Sequence, residues 1–205
     1  MRSFAALGMT VAFLTFGAVA CKPTEAKPFN PEGLSGPQPT PPIPKPDFVL
    51  TDTDGKPFDF RKETEGKVAL LFFGYTSCPD VCPVHLANIA QALSRLGPEV
   101  NEAVEVVFVT TDPARDSAAA IRKWLDHFDR RFVGLRGDTT QIVAAMKQMP
   151  VLGPILVQPT DSGGYGIGHS TLVIAFTRDN LAHVFYPFGI RQADWAKDLQ
   201  ILAAR

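Results

Sequence analysis

The sequence predicts an α/β fold with a central mixed β-sheet flanked by helices. Two observations lead there. Short apolar runs of strand length, residues 68–73 and 104–110 above all, alternate with longer segments whose apolar residues recur at helical spacing. The chain then closes with two strands joined by a tight turn and one more helix, which suits an antiparallel edge added to a parallel centre. An apolar content of 45% is enough for a proper core, and 205 residues suggest one domain plus extras.

The first segment, residues 1–20, reads as an export signal. Arg2 supplies the positive start and residues 4–20 the apolar stretch. Ala18, Val19 and Ala20 precede Cys21, and small or apolar residues before a cysteine resemble a bacterial lipobox, with Ala18 where leucine is usual. Cys21 is then expected to carry lipid. The alternative is an uncleaved membrane anchor, since residues 3–20 are just long enough to span. Either way the domain is expected outside the cell interior, tethered to the outer face of the bacterial cytoplasmic membrane.

Residues 21–46 read as an extended linker. Positions 22–46 hold nine of the chain's 18 prolines and almost no aliphatic side chains. Such a segment is not expected to build a core, and at ~3.1 Å per residue it reaches up to about 75 Å. It is either a spacer that lets the domain reach a partner or a generic tether. The folded domain is expected from Pro46 onward, over residues 47–205.

Within it, residues 48–50 read as a strand, 51–55 as a turn and 58–60 as the hairpin partner. Residues 68–73, bounded by Gly66 and Gly74, are six consecutive apolar residues and read as a buried central strand. A helix follows over 84–96, with Leu86, Ile89, Leu93 and Leu96 at core spacing, and Gly97-Pro98 ends it. Residues 104–110 are the next buried strand. Ser117 can cap a helix over 118–128, and Asp138 or Thr139 one through residue 147, with a short strand at 132–135 between them. Residues 150–168, with three prolines and five glycines, read as loop. A strand over 169–176, a turn at Arg178-Asp179-Asn180, a returning strand over 181–186 and a helix over 193–202 complete the chain. This order suggests a thioredoxin-like arrangement. Neither internal repeats nor a phosphate-binding glycine motif occurs.

The chemistry concentrates just after the first buried strand. Cys78 and Cys82, each followed by proline, sit where that strand turns into a helix. A helix N-terminus offers unpaired N–H groups and partial positive charge, which favour a thiolate. Four-residue spacing in a helical turn puts both sulfurs on one face, where they can close a disulfide or grip one soft metal ion. A structural disulfide, or two inert buried thiols, is the plain alternative. Lys and Arg total 20 against 21 acids, a net charge of −1, so no charge excess points to nucleic acid.

The segment FGYTSCPDVCP closely resembles the copper-site motif of the Sco/SenC family. TTDPARDS, residues 110–117, is similar to that family's Asp-Pro-x-Arg-Asp loop, and Gly-His-Ser at 168–170 falls where the family carries a histidine ligand. The resemblance covers about residues 47–200 in matching order. It implies a thioredoxin-like domain holding copper between Cys78, Cys82 and His169. Soft sulfur selects Cu(I) and imidazole suits copper, whereas structural zinc wants four protein ligands. Gly168 stands where the family often has aspartate, removing an acidic neighbour from the histidine.

Around this set, Asp112, Arg115 and Asp116 are read either as a loop that orients the site or meets a partner, or as a helix cap with a local ion pair. Asp80, between the cysteines, is expected on the surface, where it can join a docking face. His85, His127 and His183 read as surface or packing residues, and Met146 and Met149 as core filler. The resemblance implies a copper metallochaperone for the binuclear copper site of cytochrome c oxidase, with that subunit, other copper carriers and the membrane as partners. Two enzyme readings stand beside it: a thiol–disulfide oxidoreductase acting on the same client's cysteines, and a peroxidase of the broader thioredoxin-like class.

Overall fold

The computed structural model describes residues 33–151, 153–157 and 165–205. The export signal, Cys21 and the linker as far as residue 32 lie outside them. In chain order the elements are β1 (Ile43–Pro44), β2 (Val49–Asp52), β3 (Pro57–Asp59), α1 (Phe60–Glu63), β4 (Val68–Gly74), α2 (Val81–Ser94), α3 (Pro98–Ala103) and β5 (Val104–Thr110). There follow α4 (Ala118–Leu125), β6 (Val133–Arg136), α5 (Thr139–Met146), β7 (Ile155–Val157), β8 (Gly166–Gly168), β9 (Val173–Phe176), β10 (Leu181–Tyr186) and α6 (Gln192–Ala203).

Eight strands form one mixed sheet in the order β1-β10-β9-β4-β5-β6-β2-β3. β4, β5 and β6 run parallel; β9, β10, β2 and β3 are antiparallel additions on the two sides. Every residue of β4 is buried, because successive side chains enter different cores. Val68, Leu70 and Phe72 pack with Leu86 and Ile89 of α2, Ile121 and Leu125 of α4, and Trp195 and Leu199 of α6. Ala69, Leu71 and Phe73 pack on the opposite face with Phe60 of α1 and Ile142 and Met146 of α5. An unbroken apolar run is what a strand covered on both faces requires. Ser117 caps α4 by accepting from Ala120 N–H, and Asp138 forms a reciprocal capping box with Gln141 at α5.

Three local expectations are corrected. α2 begins at Val81, not residue 84, because Asp80 accepts the Val81 N–H and a proline at Pro83 is tolerated within a first turn, where its missing N–H has no helical partner to lose. The stretch expected to be loop over 150–168 contains a separate two-stranded sheet, β7–β8. The strand expected from residue 169 starts only at Val173, which leaves His169 in the connection between β8 and β9.

Residues 33–46 are also not the extended spacer that their proline content suggested. Leu34 is 1% exposed and belongs to the core beneath β10 and α6. Ser35 donates its N–H and hydroxyl to buried Asp198, at 2.6 and 3.2 Å. Phe185 N–H donates to the Pro37 carbonyl, and β1 pairs with β10. Gly36 lies so close to the strand that a Cβ there would stand 2.1 Å from the Phe185 oxygen. Lys45 is buried and donates to the Thr64 carbonyl and hydroxyl. Prolines are compatible with this placement because an edge strand leaves half of its N–H positions unused. The arm also covers an otherwise open sheet edge. Among the described residues no helix is long and apolar enough to cross a membrane.

Candidate metal centre

The C-terminal end of β4 delivers the chain into a tight corner. Cys78 N–H bonds back to the Tyr75 carbonyl, and α2 starts three residues later. Cys82 in the first turn of α2 is fully buried, while Cys78 is half-buried; both are free thiols. Gly74 makes room for the buried sulfur: a Cβ there would lie 3.0 Å from Cys82 Sγ and 2.9 Å from the Phe108 ring. The connection after β8 brings His169 over the same corner, with Nε2 3.8 Å from Cys82 Sγ across 87 residues of sequence. His169 Nδ1 lies 2.7 Å from the Ser170 carbonyl. A carbonyl only accepts, so Nδ1 donates to it, and Nε2 is the ring nitrogen turned toward the sulfurs.

The two thiols are electrostatically unlike. Cys78 is pushed down to about 4, chiefly because Cys82 donates to it, helped by His169 and by the backbone N–H groups of Cys82 and Asp80, against the opposing effect of burial. Cys82 is pushed up, because it holds the shared proton and because it is buried. Cys82 N–H points at Cys78 Sγ from 3.4 Å, the geometry of a helix N-terminus supporting an anion. At neutral pH the cysteine pair therefore holds one thiolate and one thiol, with the His169 imidazole beside them. No three His, Cys, Asp or Glu side chains among the described residues stand as a ready-made cage. The three donors instead contact one another, and a soft ion would enter by replacing the proton between them. The donor set of two sulfurs and an imidazole nitrogen suits copper.

The Asp-Pro loop lies behind this corner. Asp116 is fully buried and accepts from Thr76 N–H at 3.0 Å, Thr76 Oγ1 at 2.5 Å and Thr110 Oγ1 at 2.6 Å, tying the end of β5 to the residue two before Cys78. Asp112 accepts from the Arg115 guanidinium and from the Tyr165 hydroxyl at 2.9 Å. Arg115 also donates to the Tyr165 carbonyl and stacks over that ring, 3.8 Å from its centre. Ser117, not an acid of this loop, caps the following helix. Asp80 is exposed and caps α2.

Of the other candidates, His85 is buried against Phe72 and Phe188, and burial pushes it down to about 4. His127 lies against the Trp124 carbonyl and His183 pairs with Asp179. Met146 and Met149 are in the core on the other face of the sheet from Cys82. Sequence reasoning missed Tyr75 and Tyr165. Tyr75 stands edge-on to His169, with ring centres 5.7 Å apart. No local pattern marks either tyrosine; their role depends on contacts between distant segments.

Comparison with known proteins places this geometry. The SCO1/SenC family model matches residues 37–204. The structure of Bradyrhizobium japonicum ScoI with copper bound is 34% identical, with a TM-score of 0.68 over 78% of this chain and 99% of that one. Apo Sco1 from Thermus thermophilus is 30% identical, with a TM-score of 0.73 over 82% of this chain and 96% of that one. The mouse protein "Protein SCO2 homolog, mitochondrial" is 34% identical over 144 residues, 68% of this chain and 54% of that protein. The alignments with two Rickettsia SCO2-like proteins cover 60% of their lengths, so the chain spans little more than half of the curated relatives it matches. The fold is the thioredoxin-like one of Sco structures. With the match running from the packed arm to the last helix and across both cysteines and the histidine, this chain belongs to the SCO1/SenC family.

Proposed function

We propose that this protein is a membrane-tethered copper metallochaperone that holds a copper ion between Cys78, Cys82 and His169 and passes it to the binuclear copper site of a cytochrome c oxidase during assembly. The observation that carries the reading is the convergence of an imidazole nitrogen on a thiol–thiolate pair from a segment 87 residues away. Pure dithiol exchange needs no such histidine. The copper bound in the similar ScoI supports the choice of metal.

The three donors act differently. The half-exposed Cys78 thiolate meets the incoming ion first. Cys82 then releases its proton and becomes the second sulfur ligand. His169 Nε2 closes a three-coordinate site suited to Cu(I). Release reverses these steps on a client that offers more or better donors. Other copper carriers supply the ion, and lipid on Cys21 holds the protein at the outer face of the cytoplasmic membrane. Asp80, exposed beside Cys78, lies on the face a client must approach.

A second reading has its own observation, the depressed Cys78 thiol with Cys82 beside it. Cys78 attacks a client disulfide to form a mixed disulfide and expel one client thiolate. Cys82 then displaces the second, leaving Cys78–Cys82 oxidised and the client reduced by two electrons. Anaerobic copper titration of the reduced protein, repeated on Cys82→Ser, tests the first reading. Stoichiometric binding lost in the variant is expected; absent binding in the parent protein leaves the oxidoreductase.

A further inference from the structure

His169 is the one donor at the site that no helix or strand of the main fold holds: it lies in the connection just after β8. β7–β8 lies outside the eight-stranded sheet, and a two-stranded ribbon has little stability of its own. β8 reads Gly166-Ile167-Gly168, so a single side chain anchors it. Glycines contribute no packing and leave the backbone free. The cysteines, by contrast, sit at the junction of a fully buried strand and a helix. Whatever places the imidazole against the sulfurs must come from elsewhere in the fold.

Tyr165, immediately before β8, is held at three points by two residues of one loop. Its hydroxyl donates to Asp112, its carbonyl accepts from Arg115 Nη1 at 3.0 Å, and its ring lies under the Arg115 guanidinium. Asp112 and Arg115 are themselves ion-paired, and Asp112 N–H is fixed on Thr110 Oγ1 at the end of β5. Two residues on, the Ile167 backbone bonds to the Tyr75 hydroxyl. Two further on, His169 packs edge-on to the Tyr75 ring. Arg115 also lies 5.7 Å from the centre of that ring, between the two tyrosines. Contacts at 165, 167 and 169 follow the two-residue period of an extended chain, so the segment is pinned along one side.

We infer that Tyr165, gripped by Arg115 and Asp112, is the positioning residue for His169: it carries the Asp-Pro loop's rigidity to the imidazole and sets how fully the nitrogen engages copper. The inference rests on the copper-holding reading for its metal arm and on geometry alone for its metal-free arm. The loop then serves both halves of the site, with Asp116 fixing the cysteine corner while Asp112 and Arg115 fix the histidine.

The test is a double-mutant cycle on the full chain with Cu(I) as the probe. Tyr165→Ala is expected to weaken copper binding about 10–100-fold, the size typical of losing a group that orients a ligand. Formation of the Cys78–Cys82 disulfide should be unchanged. Tyr165→Ala combined with His169→Ala should bind no more weakly than His169→Ala alone, because the tyrosine acts through the histidine. Losses that multiply in the double variant overturn the inference, as does unchanged affinity in Tyr165→Ala. In metal-free protein, NMR should show the Tyr75–His169 ring contact in the parent and lose it in Tyr165→Ala; its persistence overturns the inference even if the parent binds no copper. Should circular dichroism show Tyr165→Ala unfolded, Tyr165→Phe and Arg115→Lys take its place. Each should give a smaller loss in the same non-additive pattern, and full additivity with His169→Ala is again the overturning result.

Discussion

Gly74 and Cys82 touch: the α-carbon that ends the central strand leaves only enough room for the sulfur of the buried cysteine, and any Cβ would meet Sγ at 3.0 Å and the Phe108 ring at 2.9 Å. Strand, corner and helix are thus packed to contact around one thiol. Gly74→Ala should cost about 1–3 kcal/mol by overpacking and displace Cys82 from His169. Denaturant unfolding reads the first effect and copper affinity the second. A variant with parent-like stability and affinity would show that the corner is slack.

His169→Ala separates the two functional readings. It should leave the cysteine pair able to form and break its disulfide, while weakening copper binding at least about 10–100-fold, since a direct ligand matters no less than a group that orients one. In cells with limiting copper, oxidase assembly should fail nearly as badly as in Cys78→Ser. Near-normal assembly would favour the oxidoreductase.

Protonation predicts how copper uptake depends on pH. Cys78 is already ionised above about pH 4, whereas Cys82 stays protonated through the neutral range. Copper binding near pH 7 should therefore release about one proton from the thiols rather than two, and affinity should fall about tenfold per unit as pH drops toward 5. Calorimetry in buffers of different ionisation enthalpy counts the protons. Release of two from the sulfurs would place a proton on Cys78. The same asymmetry predicts that a thiol alkylating agent modifies Cys78 at pH 5–6 and spares Cys82.

Leu34 tests the folded arm. Leu34→Ala should destabilise the protein by about 2–4 kcal/mol, as a buried leucine in a core does. Deleting residues 33–46 should cost more, because buried Asp198 then loses the N–H and hydroxyl that Ser35 donates to its carboxylate. Chemical denaturation of both variants checks this. An unshifted midpoint in Leu34→Ala would place the leucine outside the core.

Cys21 should be the mature N-terminus and carry lipid, given the small-residue run before it. Mass spectrometry of membrane-extracted protein decides the matter. An unmodified Met1 or a free thiol at Cys21 would leave the uncleaved-anchor reading.

The parts of the fold that were legible are those where one local signal dominates. β5 was expected over the residues it occupies, and β4 to within one, because strands buried on both faces are written as unbroken apolar runs. α4 and α5 announced themselves through the Ser117 and Asp138 caps. The misses share a cause: composition hid a contact. The glycines and prolines of 150–168 masked β7–β8, Pro83 masked the first turn of α2, and the nine prolines of 22–46 outweighed Leu34 and Ile43. At the site, the cysteine pair stood out by its spacing and His169 by a family resemblance. The Tyr165–Arg115 contact did not, since nothing local to residue 165 encodes a partner 50 positions away.

The packed arm changes how close the domain would stay to the lipid anchor proposed at Cys21. With the chain pinned from Leu34 onward, a lipid on Cys21, as proposed, would put residues 22–32 between anchor and domain, a span of at most about 34 Å at ~3.1 Å per residue. A domain confined to a half-sphere of that radius has an effective concentration on the order of 10 mM toward a client within reach, about tenfold higher than the longer, 75 Å leash would allow. The leash is also attached beside α6 and β10, so the domain hangs from one side rather than turning freely. On the proposed function, copper transfer would be a short-range exchange between neighbours on one membrane surface, and inserting residues between Cys21 and Leu34 should slow it by dilution alone.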